Sequence, residues 1–252
     1  MKIPQIGLGG KDVDEAYERY LEESQQPKEK KAPKSPKILP IANLSDFWRI
    51  PNVEYRNGIY SVDLAKRLLD NENTKTQGEW AQYSVEAQKR GDFYVGDMPL
   101  YHSIFSALSK ANSKDAEEAK EFIQKQMREK WPITLTRIKY NPNGEDEVIH
   151  NHGANDEYSV KGNIVGKDEF ISQSADKSYL EAILGNSNIQ EINQVYQWLN
   201  GTDAYIFRVN SKPKQTDERI AWFDADSDGV VLNCYRGPQG SYPALGVRAA
   251  KK

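Results

Sequence analysis

From Arg219 to Ala250 the chain reads RIAWFDADSDGVVLNCYRGPQGSYPALGVRAA, and a period of two runs through it. Successive side chains on a strand point to opposite faces. Ala221, Phe223 and Ala225 therefore share one face, as do Val230, Leu232 and Cys234, and all six are small or apolar, as a core requires. Trp222 and Asp224, then Val231, Asn233 and Tyr235, fall on the other face. That second set mixes indole, acid, aliphatic, amide and phenol without a chemical theme. An orderly inside with an arbitrary outside predicts a sheet that displays its outer side chains.

Within this stretch IAWF, VVLNCY and ALGVRA read as short strands, as does AYIFRV just upstream. ITLTRIKY, the turn NPNG and EVIH read as a β-hairpin. IQEINQVYQWLN is a helix stopped by Gly201. Ser61 is placed to cap a helix carrying Leu64, Leu68 and Leu69, and Asp97 with Pro99 opens another carrying Leu100, Ile104 and Leu108. A third runs from Ser113 to Lys130, with acids in its first turns and bases in its last, as the helix dipole prefers. Helices mostly first and strands mostly last predict an α+β fold with antiparallel strands and flanking helices.

The first 37 residues differ in kind. Val13, Ala16, Tyr17, Tyr20 and Leu21 form one apolar stripe on an acidic helix, which could dock a partner. QQPKEKKAPKSPK follows, with three prolines and five lysines in thirteen residues, a linker composition. The expected division is residues 1–37 as helix and linker, and 38–252 as one domain.

Composition narrows the function. A net charge of −3 lacks the basic excess that general nucleic-acid binding needs. One cysteine, Cys234, forms neither an internal disulfide nor a cysteine cluster around zinc. No apolar run reaches the ~20 residues of a membrane span and no signal-peptide core opens the chain, so the default expectation is cytoplasmic.

Two metal motifs are tempting. Asp224, Asp226, Asp228 and Gly229 match the first half of a calcium loop, but its twelfth position, which should be a bidentate Glu, is Tyr235, and VVLNCY is a strand where a helix should begin. Gly144, His150, His152 and Glu157 have the spacing of a cupin metal motif, with both imidazoles on one strand face. A cupin needs a further His, and none follows His152; the remaining one, His102, lies on a predicted helix far upstream. A cupin-like metal enzyme using His150, His152 and Glu157 is the competing expectation. No spacing supports a nucleophilic triad. No cofactor or metal is expected, and no enzymatic activity.

Phe223-x-Ala-Asp-Ser227, Leu232-x-Cys234, Arg236, Pro238, Ser241 and Ala244-Leu-Gly-Val-Arg-Ala249 together resemble the variable proteins of diversity-generating retroelements. These archaeal, bacterial or viral proteins end in a C-type lectin fold of the formylglycine-generating-enzyme-like subtype. The likeness is specific in the last ~50 residues and extends by order of elements to Trp131. It implies that a reverse transcriptase copies a template repeat with errors at adenines, and that the product replaces the end of this gene. The variable region would span about 220–243. Trp222, Asp224, Asp228, Asn233, Tyr235, Arg236, Gln239, Gly240 and Tyr242 would be the hypervariable, ligand-contacting positions. Asn codons beginning with two adenines could yield Asp224, Asp228, Asn233, Tyr235, Gly240 or Tyr242. Trp222 and Gln239 depart from that scheme and need template codons ending in a purine. Phe223, Ser227, Leu232, Cys234, Leu245, Gly246 and Arg248 would be the fixed framework. The implied partner is a macromolecule, a protein or cell-surface ligand.

Overall fold

The computed structural model describes residues 39–225 and 229–250. The chain divides into two units, Met1–Lys37 and Ile38–Lys252. The expected N-terminal helix and linker lie outside the described residues, as do Asp226, Ser227 and Asp228.

The second unit opens with strands: β1 (Ala42–Asn43), β2 (Phe47–Tyr55) and β3 (Gly58–Leu68). Three helices follow, α1 (Gln77–Arg90), α2 (Met98–Ala111) and α3 (Lys114–Glu129), then β4 (Thr136–Tyr140), β5 (Asp146–His150), β6 (Tyr158–Gly162) and β7 (Glu169–Phe170). Helices α4 (Lys177–Leu184) and α5 (Ile189–Asn200) precede β8 (Tyr205–Phe207), β9 (Asp217–Ala225), β10 (Val230–Asn233) and β11 (Leu245–Ala249). The fold is mixed α+β, with two sheets ordered β1-β2-β3-β11 and β6-β5-β4-β9-β10-β8-β7. Every strand pair is antiparallel except β10 with β8.

The helix expected after Ser61 is strand β3. Its apolar run fits either period, and both faces are covered: Val62, Asp63, Leu64 and Ala65 are all buried. Asp63 is tolerated because two guanidinium groups meet it, Arg49 Nε at 2.7 Å and Arg248 Nε at 3.1 Å. The order of elements is also not helices first, since a sheet begins the domain and α4 and α5 sit between strands.

Local signals explain the helices. Asp97 caps α2 by accepting from Leu100 N at 2.9 Å, and Ser113 caps α3 by accepting from Ala116 N at 3.2 Å. Gly201 ends α5 at φ 74°, a conformation that glycine adopts without a Cβ clash. The β4–β5 hairpin closes through residues 141–145.

The large sheet is packed on both faces. On one, Ile138, Val148, Phe223, Leu232 and Cys234 join the main core with α2, α4 and α5, and the Phe223 ring meets Phe105 at 5.1 Å. On the other, Ile220 and Trp222 join Trp80 and Ala81 of α1 with Val95, Ile133, Leu135 and Ala244.

Candidate functional site: the β10–β11 surface

The two-face packing corrects two of the expected display positions. Trp222 is 1% exposed and Asn233 7%. They are direct cross-strand partners on the face that α1 and the C-terminal loop cover. Period two assigned the face correctly, but a second hydrophobic cluster lies over it instead of solvent. Asn233 turns its amide to local work, its Oδ1 accepting from Tyr235 N at 3.2 Å. Asp224 is half-buried, with Oδ1 accepting from Ala225 N.

Beyond Asn233 the side chains emerge. Tyr235, Arg236, Gln239 and Ser241 are exposed, and Gly240 and Tyr242 are half-buried. Their backbone is tied down at both ends. Cys234 N donates to Phe207 O at 2.7 Å, and Ile220 N donates to Arg236 O at 2.9 Å. Gly240 N reaches Gly237 O at 3.5 Å across the turn. Tyr242 exchanges both backbone bonds with Lys75, at 3.0 and 3.1 Å, and its carbonyl also accepts from the indole N–H of Trp80 at 2.7 Å. Pro243 O and Ala244 O accept from Ile133 N and Leu69 N, both at 2.9 Å.

Behind the loop the framework is dense. Cys234 is fully buried, its sulfur 3.3 Å from the Tyr179 hydroxyl, and burial pushes its thiol up to about 12. A Cβ on Gly246 would stand 2.7 Å from Leu69 Cδ2 and 3.2 Å from both Ala65 Cβ and Phe93 Cβ, so strand and neighbours approach as only glycine allows. Arg248 lies over Phe93 and Phe47 at 4.3 and 4.8 Å while bonding Asp63.

One constellation dominates the outer surface. The Arg236 guanidinium lies 5.5 Å from the Trp222 ring, 5.7 Å from Trp131 and 5.9 Å from Tyr242, and its Nη1 donates to the Tyr242 hydroxyl at 3.1 Å. Trp131 is 41% exposed and belongs to no strand or helix. Beside it, Tyr235, 48% exposed, packs on Phe207 at 5.2 Å under the Arg219 guanidinium, also at 5.2 Å. Trp131 and Arg219 are members of the surface that the period-two pattern did not single out. An exposed tryptophan just past a helix end was the available signal for the first.

The histidine constellation does not assemble. His150 is buried, with Nδ1 3.0 Å from the Thr136 hydroxyl and Nε2 2.9 Å from Ala182 O. Because the Ala182 carbonyl can only accept, Nε2 carries the proton and donates to it, which leaves Nδ1 of the neutral ring to accept from the Thr136 hydroxyl, whose oxygen also accepts from Met98 N. Both ring nitrogens are thus occupied. His152 falls past the end of β5 and pairs with Glu157 at 3.4 Å. Burial holds both imidazoles below the usual histidine range. Among the described residues, no group of three or more His, Cys, Asp or Glu side chains could hold a metal ion. No helix among them is long and apolar enough to cross a membrane. No family model, curated protein or solved structure matches the chain.

Proposed function

We propose that residues 235–242, with Trp131 and Arg219, form a ligand-binding display surface on a C-type lectin-like domain, diversified as in the variable proteins of diversity-generating retroelements. The observation that carries the reading is the division of labour between Cys234 and Leu245. Backbone groups are fixed to β8, β9 and the segments around Leu69, Lys75 and Ile133, while the side chains of Tyr235, Arg236, Gln239 and Ser241 are exposed. A segment held by its main chain accepts many side-chain sets without refolding. Recognition is non-covalent: the Arg236–aromatic cluster and Tyr235 supply large contact area with few rotors, and the exposed Gln239 and Ser241 supply directional polar groups. The ligand is a macromolecule, as the resemblance to those variable proteins implies. Variation is concentrated at 235–242; Trp222 and Asn233 act as support beneath it.

The genomic neighbourhood tests this. A near-copy of the last ~100 bases, differing chiefly where it carries adenine, and a reverse transcriptase gene are expected beside the coding sequence. A complete contig with neither overturns the reading. Sibling copies are expected to vary at Tyr235, Arg236 and Gln239 and to keep Phe223, Leu232, Cys234 and Gly246.

A further inference from the structure

A cleft of about 510 Å³ lies away from the β10–β11 surface, within the range of small-molecule sites. Its floor is one stripe of α2, including His102, Ser103 and Ser106; one wall is the β2–β3 turn with Glu54 and Arg56, and the other is α4 and its exit, with Glu181.

Charge is unevenly settled around it. Lys110 and Glu191 satisfy each other at 2.9 Å. Arg56, Glu54 and Glu181 have no ion-pair partner among the described residues, which leaves one cation and two carboxylates available at the rim. Arg56 is moreover held in place. It occupies a two-residue turn at φ 54°, a conformation that favours glycine, and its guanidinium lies 4.4 Å from the Tyr158 ring. His150 packs against the same ring at 4.8 Å, so Tyr158 has little free face for stacking a sugar or a base.

The floor adds one donor. His102 is 2% exposed; its Nδ1 meets the Tyr196 hydroxyl at 3.1 Å and its Nε2 has no partner among the described residues. If Tyr196 donates to Nδ1, one hydrogen-bonding group is left unmet, Nε2–H; the other tautomer leaves two, the tyrosine proton and the Nε2 lone pair. The arrangement with fewer unmet groups gives His102 an N–H, on the helix stripe that also carries Ser103 and Ser106.

We propose that this cleft binds a small zwitterion, a polar α-amino acid, with its carboxylate on Arg56, its ammonium against Glu54 and Glu181, and its side chain over Ser103, Ser106 and His102. A fork-shaped donor for carboxylate and a carboxylate on each wall for ammonium are the complement such a molecule requires. The site is independent of the display surface.

Calorimetric titration of the full chain with L-glutamine, L-asparagine and L-serine tests it. Saturable binding of at least one, at one per chain, is expected, with the matched desamino acid about tenfold weaker or worse. Arg56→Gln and Glu181→Gln are each expected to weaken binding about tenfold, and Ser106→Trp to block it by filling the cleft. Arg56 and Glu181 are exposed, so unchanged melting temperatures separate lost binding from lost fold. Arg236→Ala is expected to bind as wild type. No saturation by any of the three up to about 10 mM, equal binding of the desamino acid, or wild-type binding by both charge variants overturns the proposal and leaves the display reading untouched.

Discussion

Trp222 and Tyr235 make the sharpest contrast between neighbouring side chains of the C-terminal region. Trp222 fills a second core, and Trp222→Ala is expected to cost about 3–5 kcal/mol in denaturant unfolding. Tyr235→Ala, at an exposed position, should stay within about 0.5 kcal/mol. Equal costs would erase the distinction between support and display. Cys234 should resist thiol reagents in the native protein and react on denaturation, since burial keeps it protonated. His102 carries a pH signature: burial lowers it from 6.5 to about 4. The unfolded chain then binds more protons between those values, so the stability that His102 contributes is present above pH 6.5 and lost as pH falls towards 4. The loss is on the order of 3 kcal/mol. Denaturation midpoints at pH 7 and pH 4.5 check it, and His102→Gln should flatten that part of the profile.

Strand β11 shows how a single glycine seats an element. Gly246→Val would drive side-chain atoms into Leu69, Ala65 and Phe93, and a loss of about 1–3 kcal/mol is expected in thermal unfolding. Alternation made β8 through β11 legible, because their side chains repeat with a period of two over short, turn-bounded runs. Caps made α2, α3 and α5 legible at Asp97, Ser113 and Gly201. Helix α1 was equally readable in Thr76-Gln-Gly-Glu79, a reciprocal cap that the structure forms, with Glu79 N reaching Thr76 Oγ1 at 3.4 Å and Thr76 N reaching Glu79 Oε2 at 2.8 Å. Strand β3 was not readable, since a run buried on both sides loses the alternation that marks a strand. The same physics hid Trp222: period two says which residues share a face, and only tertiary packing says what covers it. The cleft left no local trace at all, because Arg56, His102 and Glu181 come from three separate elements.

The four-stranded sheet joins the two ends of the second unit. Replacing Tyr235, Arg236, Gln239 and Ser241 together by alanine should move the melting temperature by less than about 4 °C. Deleting Leu245–Ala249 should abolish cooperative unfolding, because β3 then loses one of its two strand partners and the loop loses one of its two clamps. That pairing of β3 with β11 joins residues 62–68 to residues 245–249, with every helix of the domain between them. During synthesis the strand that needs Leu245 waits while roughly 180 further residues are added, on the order of 9–35 s at ordinary elongation rates. Through that interval the edge of β3 is bare main chain, open to any passing strand. A nascent chain halted before Leu245 should therefore be cut readily by protease and captured by chaperones, whereas one extended past Ala250 and clear of the ribosome should resist both.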